Sequence, residues 1–127
     1  MRTLALILAL VVSTQAVAAD ANYTGRWGVD GKCDNTDLAD EPWTVITLNR
    51  DHLYGYEYAC TFTNVTNTGV LNQWSVKADC TNEGDSYKDA MTLDMTSNGL
   101  ALFVDRPGKD TTVYSRCDET GYEISPR

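Results

Sequence analysis

The chain has 127 residues, with 18 acidic and 10 basic side chains and a formal net charge of −8. That length supports one packed domain rather than two. The acidity, with no basic cluster able to neutralise phosphates, excludes a nucleic-acid binder, and no apolar run approaches the ~20 residues a spanning helix needs.

The first element in chain order is a removable leader over residues 1–19. Arg2 is its charged start, Leu4 to Val12 its unbroken apolar run, and Ala16-Val17-Ala18 or Val17-Ala18-Ala19 its small-residue cleavage signal. Cleavage leaves a single domain, 20–127, one charge more acidic than the precursor. The form of the leader is bacterial, so the expected address is the periplasm, with secretion as the alternative.

Beyond the leader the hydrophobic period is two, the pattern of half-buried strands. A first strand fits Thr24–Val29. The acidic loop Asp30–Glu41 follows, carrying Asp30, Asp34, Asp37, Asp40 and Glu41 and at most one helical turn over Asp34–Glu41. Further strands fit Trp43–Leu48, then Tyr54 to Phe62, where Tyr54, Tyr56, Tyr58, Cys60 and Phe62 share one face. Next come Trp74 to Cys80, and a segment whose Tyr87, Met91, Leu93 and Met95 share a face. Leu100–Val104, Thr111–Arg116 and a short piece at Tyr122–Ile124 complete the series. Turn signals separate them, among them Asn49-Arg50-Asp51, Asn67-Thr68-Gly69, Asn82-Glu83-Gly84-Asp85, Ser97-Asn98-Gly99 and Arg106-Pro107-Gly108. The expected fold is all-β: an antiparallel up-and-down meander of seven or eight strands closing into a small barrel, which removes exposed strand edges.

Four cysteines, Cys33, Cys60, Cys80 and Cys117, allow three pairings. Their wide spacing and the single histidine argue for disulfides over a zinc site. Alternating strand directions put Cys60 and Cys80 on neighbouring strands, in a register that sets Thr66 opposite Trp74 across a loop centred on Val70. With seven strands, Cys33 and Cys117 fall at one end and Cys80 at the other. The expected pairs are therefore Cys60–Cys80 and Cys33–Cys117, the long loop contributing ~4 kcal/mol.

Candidates for chemistry are few. His52 sits in the turn Asn49-Arg50-Asp51-His52, and no second histidine exists to serve a triad. The acidic loop departs from the calcium-loop template at its strictest positions, with Lys32 at position three and Asn35 where glycine is required. We expect no enzyme activity, no cofactor and no metal. Trp27, Trp43, Trp74, Tyr54, Tyr56, Tyr58 and Phe62 are expected to fill the barrel rather than line a ligand cup.

Tyr23-Thr24-Gly25-Arg26-Trp27 resembles the G-x-W start of lipocalins and the T-G-x-W start of avidins. In those barrels the glycine and tryptophan close the bottom of the cup. Gly25/Trp27, Tyr58/Cys60 and Tyr114/Cys117 are similar to the pattern of small exported proteobacterial barrels, among them inhibitors of c-type lysozyme, whose S-G-x-x-Y loop is absent here. The resemblance implies an exported, non-catalytic binding protein that inhibits a basic envelope hydrolase such as lysozyme. The alternatives are a small-ligand carrier and a structural envelope protein. For a protein partner the expected contact is Asp34, Asp37 and Asp40 of the acidic loop, with Trp43 as aromatic anchor.

Overall fold

A computed structural model of the chain describes residues 22–33, 44–118 and 124. Eight strands form from these residues: β1 (Gly25–Val29), β2 (Val45–Leu48), β3 (His52–Gly55), β4 (Tyr58–Asn67), β5 (Gln73–Asn82), β6 (Asp85–Met95), β7 (Ala101–Asp105) and β8 (Thr112–Arg116). Each pairs antiparallel with the next, and β8 pairs antiparallel with β1, so the meander closes into a barrel. Among the described residues there is no helix long and apolar enough to cross a membrane. The expected leader lies outside the described residues.

The strands form where period-two alternation can send one face inward. On β5 the alternation is complete: Trp74, Val76, Ala78 and Cys80 are buried, and Ser75, Lys77, Asp79 and Thr81 are exposed. With Trp27, Ile46, Leu48, Leu53, Phe62, Met91, Leu93, Leu102 and Val104 they form one continuous core. We call the end where β1, β3, β5 and β7 begin the closed end, and the opposite end the mouth.

Two expectations need correction. The single strand expected from Tyr54 to Phe62 is two strands, because a two-residue turn at Tyr56-Glu57 interrupts it. Glu57 takes the left-handed conformation there, at φ 58°. The Tyr58 ring lies over Gly55, where an added Cβ would sit 1.8 Å from it. Tyr54 and Tyr56 therefore face solvent, 43% and 37% exposed, instead of filling the barrel. This split supplies the eighth strand. Of the short piece expected at Tyr122–Ile124, only residue 124 is described, and its N–H donates to the Arg116 carbonyl at 2.9 Å.

Both expected disulfides are present, Cys33–Cys117 and Cys60–Cys80. They give the folded chain the covalent framework of a non-reducing environment. Cys60 and Cys80 face each other directly, and their register persists to Phe62↔Ala78. A bulge at Thr63 then shifts it by one, so Thr66 faces Ser75, not Trp74. The strand directions expected for the other pair do not hold. With eight strands β8 runs opposite to β1, and Cys33 and Cys117 follow strand ends at opposite poles. The bridge forms because the chain doubles back after β1, through Asp30 and Gly31 at φ 52° and 73°. It returns across Gly28, where a Cβ would come within 2.3 Å of the Lys32 carbonyl oxygen. Glycine at 28 thus lets Cys33 approach Cys117, with Cα atoms 5.8 Å apart.

Candidate functional site

The two ends of the barrel differ in chemistry. At the closed end Trp27 is fully buried, and its indole N–H donates to the Tyr23 carbonyl at 2.8 Å. The Arg116 guanidinium lies 4.2 Å above the Trp27 ring. It donates to the carbonyls of Gly99 at 2.6 Å, Thr24 at 2.8 Å and Asn22 at 3.0 Å. Tyr23 packs edge-on against Trp74 and Phe62, with centroids 5.0 and 6.4 Å away. Burial lowers the pKa of Arg116 and raises that of Tyr23. The tryptophan of the G-x-W start thus plugs this end, and the space behind it is filled by side chains.

The mouth is polar and open. β4, β5 and β6 are 10 or 11 residues long, whereas β7 and β8 have five each. The long strands therefore overhang the short ones. Between the upper part of β6 and the segment joining β7 to β8 lies a cleft of about 430 Å³, lined by Asn82, Tyr87, Asp89, Arg106, Lys109 and Tyr114 among others. Arg106 Nε donates to Asp89 Oδ2 across it at 3.0 Å, with the two side chains 19% and 14% exposed. The other Asp89 oxygen accepts the Ala90 N–H at 2.9 Å. Tyr58 and Tyr114 are buried in the interior below, and burial pushes both phenols up, Tyr58 further so through Tyr114. Burial and then Asp89 raise Tyr87. On the rim Glu57, hydrogen-bonded to Glu83, sits above the usual carboxylate range. This arrangement offers donors from one wall and, at the floor, a carboxylate ion-paired with Arg106.

The residues singled out from sequence fall elsewhere. Asp34, Asp37, Asp40 and Trp43 lie outside the described residues, as does all of the acidic loop beyond Cys33. His52 stacks on Tyr54 with centroids 5.5 Å apart and planes 9° from parallel, outside the barrel. Cys60, Cys80 and Asp89 place their ligand atoms within 4.8 Å of one another. The two sulfurs are bonded to each other, so no thiolate is available to a metal. Asp89 and Arg106 were not anticipated. The signal for Asp89 is its register: it shares the inward parity of Tyr87, Met91, Leu93 and Met95, and a carboxylate there requires a buried cation.

No family model, no curated protein and no solved structure matches this chain.

Proposed function

We propose that this protein is an exported, non-catalytic binding barrel, periplasmic or secreted, that recognises a partner protein at its mouth. The observation that supports this most is the cleft between β6 and the β7–β8 connection, where a barrel otherwise filled by side chains becomes open and polar. The disulfide framework suits an exported address, and an acidic surface keeps the molecule soluble and steers encounter. The lipocalin-like and inhibitor-like start at Gly25/Trp27 supports a binding role, since its tryptophan closes one end and leaves recognition to the other.

Two other readings rest on specific observations. The net charge of −8 favours a basic envelope hydrolase, c-type lysozyme first, held through Asp34, Asp37 and Asp40 with Trp43. A cleft of about 430 Å³ is also the size of a small-ligand site. One experiment separates the three. The mature protein carries a photo-crosslinking residue at Lys109, or at Tyr54 on the outer face, and is irradiated in the host envelope. A mouth partner gives a defined adduct from position 109 alone, and Arg106→Gln abolishes it. Inhibition of lysozyme that survives Arg106→Gln and is lost when the three aspartates become asparagine would transfer the function to the acidic loop. A co-purified small molecule in native mass spectrometry would support the carrier. Adducts from both positions alike would refute mouth recognition.

A further inference from the structure

The mouth contains an unused strand edge. β5 pairs with β6 without a slip from Gln73↔Asp94 to Asn82↔Asp85. On its other side β6 pairs with β7 only from Thr92 to Met95. Two hydrogen bonds at the closed end fix which backbone groups face which neighbour. Met95 N–H donates to the Asn72 carbonyl on the β5 side, and Thr96 N–H donates to the Ala101 carbonyl on the β7 side. Backbone groups alternate in direction along a regular strand. Ser86, Lys88 and Ala90 therefore present their N–H and C=O groups to the side that β7 has left. Asp89 Oδ1 takes the Ala90 N–H. No strand meets the others among the described residues.

The cleft runs beside this edge, with Arg106, Lys109 and Thr112 on the opposite wall. Both Asp89 oxygens are engaged, so that carboxylate does not oppose an incoming anion at full strength. The Nη nitrogens of Arg106 and the ammonium of Lys109 have no hydrogen-bond partner among the described residues. Lys88 pairs with Asp79 on the outer face. In an acidic chain, two cationic side chains, Arg106 and Lys109, thus face one slot.

We propose that this slot takes an extended peptide segment bearing a carboxylate, which adds to β6 as a further strand. Its main chain bonds to Ser86 and Lys88, and its carboxylate to Arg106 and Lys109. A free edge offers donors and acceptors at strand spacing, and a peptide backbone is the complement of that pattern. The opposite wall selects for negative charge. A second copy of this chain is a poorer occupant. Antiparallel self-pairing of β6 sets Lys88 against Lys88 in one register, and Asp85 against Asp89 in the register centred on Tyr87. Like charges directly opposite disfavour both. The same Lys88 and inward Asp89 are the means by which edge strands resist indiscriminate pairing.

This inference rests on the mouth being the recognition site, and its test separates the two. The probe is acetyl-Thr-Glu-Thr-Glu-Thr-amide, added to ¹⁵N-labelled mature protein up to ~5 mM, enough to detect a millimolar Kd. At about 90% occupancy, hydrogen exchange at the Ser86 and Lys88 amides should slow ~10-fold, in proportion to the free fraction that remains. Resonances of Arg106 and Lys109 should shift with them. The same peptide N-methylated at alternate residues keeps the carboxylates and loses the edge-facing donors, so it should bind at least ~10-fold more weakly and protect neither amide. The analogue with lysine in place of glutamate should not bind. Lys88→Pro removes a backbone N–H that no described ladder uses, as prolines do on natural edge strands. It should lose the peptide, whereas Lys88→Ala keeps it. If the N-methylated peptide binds as well as the parent and shifts Arg106 and Lys109, strand addition is wrong while mouth recognition stands. If the parent peptide leaves Ser86, Lys88, Arg106 and Lys109 unmoved at the highest concentration, the proposal is overturned, and the crosslinking result alone decides the mouth reading.

Discussion

Replacing Arg116 with alanine should cost the barrel about 3 kcal/mol, from identifiable parts. The side chain ties together the approach to β1, through the carbonyls of Asn22 and Thr24, and the β6–β7 connection, through that of Gly99. For a half-buried group, three such bonds contribute about 1 kcal/mol each after exchange with water. The stack on Trp27 adds ~0.5 kcal/mol or more, and regained side-chain entropy removes a similar amount. Lysine retains the charge over the ring but reaches at most one carbonyl well, so Arg116→Lys should lose about half as much. Urea unfolding with disulfides intact measures both, as a fall in the midpoint at constant slope, ~1–2 M for the alanine variant. Native fluorescence adds a local check, because an uncovered Trp27 should emit further to the red. If Arg116→Ala costs less than about 1 kcal/mol, or if lysine substitutes without loss, the closed end is held by packing alone and the reasoning fails.

The buried phenols of Tyr58 and Tyr114 predict a limit on the alkaline side. Their folded pKa values lie above the ordinary 10.0. Below pH 10 both states hold these protons and stability is flat. Above it only the unfolded chain releases them, so stability should fall by ~1.4 kcal/mol per pH unit per tyrosine. Chemical unfolding between pH 9 and 11 reads the slope, and Tyr58→Phe should reduce it. An unchanged slope would mean the phenol already ionises in the folded barrel. Gly28→Ala should act on the bridge rather than the core, since its Cβ would press on the Lys32 carbonyl. Thiol counting after oxidative refolding should find Cys33 and Cys117 free in a large fraction of molecules while Cys60–Cys80 still forms. Complete pairing would show that the turn yields freely.

Period two, the turn signals and the cysteine spacing carry most of the architecture, because strand alternation and tight turns are local properties. The failures share a cause. Tyr54, Tyr56 and Tyr58 alternate as if on one strand, but the two-residue turn inverts the inward parity, from Leu53 to Tyr58 and Cys60, and only tertiary context shows that Tyr58 packs over Gly55. The pairing of Cys33 with Cys117 was legible, but its geometry was not: it depends on a chain reversal through left-handed Asp30 and Gly31 and on the absence of a side chain at Gly28. The site was less legible still. Charge density draws attention to the stretch from Asp30 to Glu41, whereas the described recess is built from Asp89 on β6, Arg106 just after β7 and Tyr114 on β8. They come from three separate elements, with no pattern in the sequence that joins them. What relates them is register, and register is fixed only once the barrel closes.

The unequal strand lengths bear on where a partner can bind. In a barrel of equal strands every backbone group is paired and the fold has no edge. Here β6 continues past β7 at the mouth and β4 past β3 at the closed end, and the overhang of β6 leaves an edge open beside the cleft. At that level an inward position must be filled by something that can stand next to water, and Asp89 meets the condition only because Arg106 reaches it from the β7 end. Removing either partner leaves a charge in a partly enclosed site, which is costly. The ion pair thus links the two walls of the cleft. A barrel shaped in this way has a packed end that closes the fold and an open strand edge at the other, the edge on which we propose a partner strand adds.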